Sequence, residues 1–251
     1  MEREERGGGL GGFLKEVTIV VVGALIASTL LRLLLLQVFS IPSRSMESTL
    51  EVGDRVAVQK VQPFQRGDVV VFRDDLEWLG NPDMFSQEPW QDVLVFIGLM
   101  PDPSANHLVK RVVGVEGDHV VCCDADDRIT VNGAPLDESE YLYRAPDGTP
   151  DQPSSFPFDV VVPAGRIFVL GDHRSASADS RCHLDTTIRG EEYAGGFPSV
   201  ESVIGAAAFT LFPFDRWRTY ATPAAYAGIA AAPGPAPEHP VVTVGGDGTN
   251  C

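Results

Sequence analysis

The longest apolar run of the chain lies near its N-terminus. Between residues 17 and 39 the only charged side chain is Arg32, and an arginine near the end of a span can reach the lipid headgroups. At about 1.5 Å per residue, a helix over this run spans roughly 34 Å, which matches the hydrocarbon core of a bilayer. The pattern predicts a transmembrane helix over residues 17–39, preceded by a short cytoplasmic tail, residues 1–16.

Two other interpretations of this run are less favoured. A cleavable signal peptide has a clearly positive start, whereas acidic residues offset the basic ones before this run. A buried core helix has an amphipathic pattern, and few polar residues interrupt this run. No comparable apolar run follows, so we expect a single-pass protein of the cell membrane with everything after Phe39 on one side.

Downstream of Val52 the apolar residues fall into short, β-branched runs bounded by turn residues. The strands predicted from these runs are 55–61, 68–72, 108–115, 119–123, 128–131, 158–162 and 166–170. Asn132-Gly133, directly after one of them, is a hairpin-type turn. The pattern therefore favours a mainly β domain with antiparallel strands over a βαβ fold, and we assign it to residues 40–221.

Three regions interrupt the strand pattern. Residues 76–106 are rich in proline, aspartate and aromatics, and form either a packing insert or a surface that touches lipid. Residues 184–199 are predicted to form a glycine-containing loop. Residues 222–251 are rich in alanine, proline and glycine and have no periodicity, which predicts a disordered tail.

Composition narrows the function classes. With 19 basic and 35 acidic residues the net charge is −16, which argues against nucleic acid as a partner. The four cysteines, Cys122, Cys123, Cys182 and Cys251, form no CxxC pair, so we expect no structural zinc site and no cofactor. In a domain outside the cytoplasm, Cys182 could bond to one of the vicinal pair; otherwise the thiols are inert.

The segment directly after the apolar run is dense in hydroxyl groups. Residues 40–50 read SIPSRSMESTL and contain five serines and threonines. A polar juxtamembrane linker is the commoner explanation of such a segment, so its chemistry depends on what the rest of the chain offers.

A lysine in an apolar strand is the second candidate. In the run 107–114, strand alternation places Leu108, Lys110 and Val112 on one face. Burial among apolar neighbours lowers the pKa of a lysine, which is what a general base needs. The alternative is a surface lysine on an edge strand.

A charged loop is the third candidate. Residues 171–181, GDHRSASADSR, follow a predicted strand and carry enough charges and hydroxyls to build a hydrogen-bonded site. The alternative is an ordinary solvated loop.

Together these segments resemble the bacterial type I signal peptidases, with an actinobacterial character. Residues 41–46 are similar to the segment of the family that carries the nucleophile, residues 110–118 to the one that carries the base, and residues 171–181 to its last segment. Residues 53–54 and 66–70 fit the structural segment between them. The resemblance covers residues 39–209 and implies a membrane anchor followed by a coiled, antiparallel β-sheet catalytic domain on the extracytoplasmic side.

The resemblance also implies catalytic roles. Ser45 would be the attacking serine and Lys110 its general base, while the Ser45 backbone N–H and the Ser43 hydroxyl would form the oxyanion hole. Ser48 departs from the family, which usually has proline there, and this change is expected to loosen the loop that holds Ser45.

Supporting roles follow from the last segment. Ser177 would hydrogen-bond the lysine amine and orient it, while Asp179 and Arg181 would brace the site. The implied substrates are secretory preproteins with small residues one and three positions before the cut, and the implied enzyme is a monomer at the lipid bilayer.

Two alternatives remain open on the sequence. The first is a serine protease with a histidine base, for which the chain offers His107, His173, His183 and His239, one of them in an Asp172-His173 pair. The second is a catalytically silent, membrane-anchored binding protein.

Overall fold

One helix and two antiparallel sheets make up the computed structural model, which describes residues 10–80 and 106–245. The helix, α1, is Leu10–Leu34. The strands are β1 Leu36–Ser40, β2 Arg55–Gln59, β3 Val69–Arg73, β4 His107–Val115, β5 His119–Cys122, β6 Thr130–Val131, β7 Ala134–Pro135, β8 Phe158–Val161, β9 Ile167–Leu170, β10 Val203–Phe212 and β11 Val241–Val244. Short 3-10 helices are Glu138–Glu140, Arg174–Ala176, Ser180–His183, Ala194–Gly196, Val200–Ser202, Phe214–Arg216 and Ala224–Tyr226.

The order of the strands confirms the mainly β prediction. The six-stranded sheet runs β1-β2-β10-β3-β4-β9 and the five-stranded sheet runs β11-β8-β5-β6-β7. Every strand pair is antiparallel. Since β4 lies between β3 and β9, a lysine on β4 is not on an edge strand, and the surface-lysine alternative is wrong.

The N-terminal apolar run is divided between two elements. Residues 11–28 within α1 have a mean hydropathy of 1.6 and are exposed, so the helix is long and apolar enough to cross a membrane. The prediction of helix over residues 17–39 is wrong at its end, because Leu36–Ser40 is a strand paired with β2. A continuous apolar run has no period that separates helix from strand, and here the backbone partner decides.

The C-terminal segment, residues 222–245, packs on the domain. Its last strand β11 pairs with β8, and the Tyr226 side chain is buried in the larger apolar core. The Asn132 amide donates to the Ala230 carbonyl at 3.0 Å, and Ala164 N donates to the Pro237 carbonyl at 2.9 Å. The predicted disordered tail is therefore wrong for these residues, because tertiary pairing replaces the missing periodicity; residues 246–251 lie outside the described part.

Two other regions interrupt the predicted strand pattern: residues 76–106, which the structure describes in part, and residues 184–199, which it describes completely. Of the insert 76–106, residues 81–105 lie outside the described residues, so its lipid-facing alternative stays a prediction. In the loop 184–199, Leu184 and Phe197 are buried in the core.

The cysteine pairing differs from the one considered above. Cys122 and Cys123 are bonded to each other, which overturns a bond from Cys182 to either of them. Cys182 is itself disulfide-bonded, so it is not an inert thiol. Cys251 lies outside the described residues.

Candidate active site

A closed turn after β1 presents Ser45. Ile41 N donates to the Asp54 carbonyl and Gly53 N to the Ile41 carbonyl, each at 2.9 Å, so the base of the turn is closed. The fully buried side chains of Met46 and Leu50 anchor its inside. Because both the backbone and the apolar contacts restrain the turn, the position of the Ser45 hydroxyl is set by the fold.

Serine at position 48, where the family usually has proline, fits the backbone conformation of this turn. Ser48 has φ +81°, in the left-handed region, whereas proline is restricted to φ near −65°. Its carbonyl accepts a hydrogen bond from Arg218 Nη2 at 3.0 Å. This turn therefore excludes proline at Ser48, and the bond from Arg218 opposes the loosening that the departure led us to expect.

Lys110 reaches this turn from β4, an interior strand of the six-stranded sheet next to the edge strand β9. Its Nζ donates a hydrogen bond to Ser45 Oγ at 2.6 Å. Lys110 is 3% exposed and Ser45 is 5% exposed, and Leu108 and Val112 on the same face are buried in one cluster. The strand alternation thus brings a lysine amine and a serine hydroxyl together in a nearly dry place.

Burial sets the protonation of this amine. Burial lowers the pKa of Lys110 from 10.5 to about 8, although the charges of Asp179 and Asp172 act in the opposite direction. At pH 7 roughly one molecule in ten then carries a neutral amine, whereas an ordinary lysine is almost wholly protonated. The neutral amine is the form that accepts a proton.

Ser43 lies beside Ser45 at the surface of the site. Its Oγ is 3.3 Å from Ser45 Oγ, and the residue is exposed. A hydroxyl at this position can reach an oxygen that develops charge next to Ser45.

Asp179 and Arg181 form a buried pair behind the lysine. Asp179 accepts hydrogen bonds at 2.9 Å from Arg181 Nε, from Arg181 Nη2 and from Gly171 N. Burial alone would raise the pKa of Asp179, but Arg181 and the Gly171 N–H together lower it. Arg181 also donates to the Arg174 carbonyl at 3.0 Å, so the ionised pair holds the backbone of the 171–181 loop.

Ser177 does not make the contact that the resemblance implied. Its Oγ is buried and has no hydrogen-bond partner among the described residues, so it does not orient the Lys110 amine here. A Cβ on Gly171 would collide with the Ser177 side chain and with the Ser45 carbonyl oxygen. The loop and the turn of Ser45 thus approach each other across a glycine, but the Ser177 hydroxyl has no hydrogen-bond partner among the described residues.

A second buried pair, which the sequence analysis did not identify, connects the strand of Lys110 to the turn of Ser45. Arg111 donates to Asp172 through Nε at 2.8 Å and Nη2 at 2.5 Å, and the Thr49 hydroxyl also donates to Asp172. Burial acts to lower the pKa of Arg111, but the charge and the hydrogen bond of Asp172, together with Tyr141 and Tyr226, outweigh burial and raise the pKa. The sequence did contain a signal, because Arg111 faces the opposite side of an apolar strand from Lys110 and a charge there requires a buried partner.

The histidine of the 171–181 loop contacts the Ser45 turn through its backbone, whereas its ring is bonded to other side chains than the Ser45 hydroxyl. His173 N donates to the Ser45 carbonyl at 3.1 Å, while its Nδ1 lies 2.9 Å from Glu47 Oε2. Its ring stacks on Tyr143 with centroids 3.7 Å apart. The imidazole is therefore engaged by a carboxylate and a phenol ring, and the Ser45 hydroxyl is engaged by Lys110.

The other histidines have their own partners. His183 Nδ1 lies 2.8 Å from the Asp179 carbonyl oxygen, and His239 Nδ1 lies 3.0 Å from Glu191 Oε1. The His107 ring packs edge-on against Phe39. These contacts do not favour the histidine-based alternative.

A serine hydroxyl hydrogen-bonded to a buried lysine amine on an antiparallel sheet is compatible with a hydrolase that uses serine as its nucleophile. Comparison with known proteins leads to the same class. The family model described as "Signal peptidase, peptidase S26" matches residues 14–212. The chain belongs to this family, whose members cleave signal peptides.

Relatives with curated names agree with this assignment. Signal peptidase I of Mycobacterium tuberculosis (strain H37Rv) is 38% identical over 224 residues, covering 81% of this chain and 74% of the relative. Probable signal peptidase I-1 of Synechocystis sp. (strain PCC 6803) is 32% identical over 210 residues, covering 82% of this chain and 86% of the relative. The solved structure of a signal peptidase I from Enterococcus faecalis V583 is 21% identical and covers 59% of this chain and 99% of its own, with a TM-score of 0.34, too low to bear on the fold.

Proposed function

We propose that the protein is a membrane-anchored, monomeric endopeptidase that removes signal peptides from exported preproteins with a Ser45/Lys110 pair. The observation that carries this proposal is the 2.6 Å contact between Lys110 Nζ and Ser45 Oγ, with both residues buried. The contact supplies the geometry that proton transfer needs, and burial supplies an amine of suitable basicity.

The reaction follows from this pair. Neutral Lys110 takes the hydroxyl proton as Ser45 attacks the scissile carbonyl, and the protonated amine then gives that proton to the leaving nitrogen. An acyl-enzyme on Ser45 remains, and Lys110 activates the water that hydrolyses it. The Ser45 backbone N–H and the Ser43 hydroxyl stabilise the oxyanion, a contribution of about 10²–10³ in rate per donor.

The substrate and the location follow from the family and from α1. We expect preproteins with small residues, often alanine, one and three positions before the cut, because shallow apolar pockets would exclude larger side chains. With α1 spanning the bilayer and the sheets on its extracytoplasmic side, Ser45 lies eleven residues beyond the last residue of α1. Confinement of enzyme and substrate to one surface raises their effective concentration.

Cleavage of a defined preprotein in lipid vesicles tests the proposal. We expect Ser45→Ala and Lys110→Ala each to lower kcat by roughly 10³-fold or more, because each removes a reacting group. Lys60→Ala is the matched control for loss of a lysine and should retain full activity. His173→Ala should retain cleavage within about tenfold, since it removes a contact to Glu47 and no reacting group.

Two results would contradict the proposal. Activity that survives Lys110→Ala and disappears in His173→Ala would establish a histidine base. A wild-type chain that binds the preprotein without cutting it would establish a silent binding protein.

The pH dependence gives an independent prediction. Since the pKa of Lys110 is lowered to about 8 and the neutral amine is the active form, kcat/KM should rise about tenfold per pH unit below 8 and level off above it. The measurement is a pH–rate profile with the same preprotein. An acid limb near 10.5 would mean a hydrated lysine, and a limb near 6.5 would indicate histidine.

A further inference from the structure

The C-terminal segment, residues 222–245, packs against the part of the domain that holds the base strand. Thr222 Oγ1 donates to Asp68 at 2.6 Å and accepts from Gln65 Nε2 at 2.8 Å. Four residues later, the ring of Tyr226 lies over Gly67, where an added Cβ would stand 2.6 Å from its Cδ2. Gly67 is therefore enclosed by the C-terminal segment, with no space for a side chain.

Gly67 is bonded in turn to the base strand. Its carbonyl oxygen accepts a hydrogen bond from Arg111 Nη1 at 2.6 Å, and its N–H donates to the Val112 carbonyl at 2.7 Å. These two residues directly follow Lys110 on β4. A displacement of Gly67 would therefore reach the base strand through two hydrogen bonds.

A second series of contacts, through aromatic rings, also connects Tyr226 to the strand of Lys110. The Tyr226 hydroxyl lies 3.1 Å from the Tyr141 hydroxyl, and both side chains are buried. The Tyr141 ring in turn carries the Arg111 guanidinium, whose carbon lies 4.0 Å from the ring centroid. Through Asp172, the same guanidinium is connected to Thr49 in the nucleophile turn.

Both series of contacts join one tyrosine of the C-terminal segment to both halves of the active site. We infer that Tyr226 is a positioning residue for cleavage: it clamps Gly67 and Tyr141, and through Arg111 it holds the Lys110 strand and the Ser45 turn at their working separation. This inference rests on the proposed function of Ser45 and Lys110. It gives a catalytic purpose to a segment whose sequence predicted only a disordered tail.

Kinetics of Tyr226→Ala test the inference, with Val242→Ala as the matched control. Both residues belong to the C-terminal segment and pack on the same core, but Val242 lies on β11 opposite Val160, whereas Tyr226 lies over Gly67. We expect Tyr226→Ala to lower kcat by roughly 10- to 100-fold with KM unchanged, because small misplacements of reacting groups have effects of this size. Val242→Ala should lower the Tm and leave kcat unchanged.

The pH–rate profile separates positioning from simple destabilisation, because the position of its acid limb does not depend on how much enzyme is folded. Release of Gly67 and Arg111 lets β4 shift and Lys110 leave its buried position, so the acid limb of Tyr226→Ala should move upward from about pH 8, toward 10.5. If Tyr226→Ala does not fold, Tyr226→Leu, which keeps apolar volume but loses the ring and the hydroxyl, should show the same two changes to a smaller extent.

The outcomes are distinct. A Tyr226 variant that only lowers the Tm, with kcat and the acid limb unchanged, overturns the inference and leaves the Ser45/Lys110 proposal intact. Full cleavage by Ser45→Ala or Lys110→Ala overturns the proposed function itself, whatever the Tyr226 variants show.

Discussion

Replacing Lys110 with methionine is expected to abolish cleavage and at the same time to raise the free energy of unfolding at pH 7. Lowering the pKa of Lys110 from 10.5 to about 8 corresponds to about 3 kcal/mol of unfavourable free energy in the folded state. Methionine has a similar length and no charge to bury, so it removes this cost. The loss of one hydrogen bond to Ser45 costs about 1 kcal/mol, so we expect a net gain of about 2 kcal/mol.

The sign of this effect depends on pH. Because the folded pKa lies below the unfolded one, the cost is fully present below pH 8 and disappears as the pH rises toward 10.5. Urea unfolding of the full chain in mild detergent at pH 7 and at pH 10.5 measures it, with Lys60→Met as control. A methionine variant less stable than the wild type at pH 7 would mean that burial does not disfavour the ammonium form.

Arg111→Met is expected to cause the largest loss of stability of any single change discussed here. It leaves Asp172 buried with an unpaired charge, and the loss of one partner of a buried ion pair typically costs 3–5 kcal/mol. Cleavage should fall as well, because Arg111 connects the Lys110 strand to the turn of Ser45. Thermal unfolding and a preprotein assay on the same sample measure both effects.

Arg128→Met is the matched control for this second prediction. Arg128 is paired with Asp124 and Asp126 but its side chain is 43% exposed, so its removal should cost less than about 1 kcal/mol. Equal losses for the two variants would contradict the view that Asp172 depends on Arg111. Adding Asp172→Asn to Arg111→Met should restore part of the stability, since it removes the unpaired charge.

Strand positions could largely be predicted from the sequence, because short β-branched runs bounded by turn residues are typical of β-strands. Seven runs lie within a few residues of observed strands. Four observed strands, β1, β7, β10 and β11, were not predicted as strands; of these, β10, VIGAAAFTLF, has too few β-branched residues to be noticed. It lies between β2 and β3, and a Cβ on Gly205 would collide with the Gln59 carbonyl, so close packing of neighbours selects its small residues.

Some residues of the candidate site could be predicted from the sequence around them, whereas others are recognised only through contacts with residues far away in the chain. Ser45 and Lys110 could be singled out because three segments together resemble one family, although each segment alone has a commoner explanation. The contacts of Arg111 with Asp172 and of Tyr226 with Gly67 join residues far apart in the chain, and no local pattern reports them. The strand at residues 36–40 was missed for a related reason, since an apolar run takes its conformation from the partner it finds.

The junction between α1 and the sheet has a mechanical consequence. Only Leu35 separates the helix from β1, and its carbonyl accepts a hydrogen bond from Lys60 N at 3.1 Å. With α1 in a bilayer as proposed, this short, hydrogen-bonded junction restricts the movement of the catalytic domain relative to the membrane. Under the proposed function, the distance of Ser45 from the lipid is then set by the fold. We therefore expect the depth of a scissile bond in the bilayer to influence whether it is cleaved, in addition to the side chains that flank it.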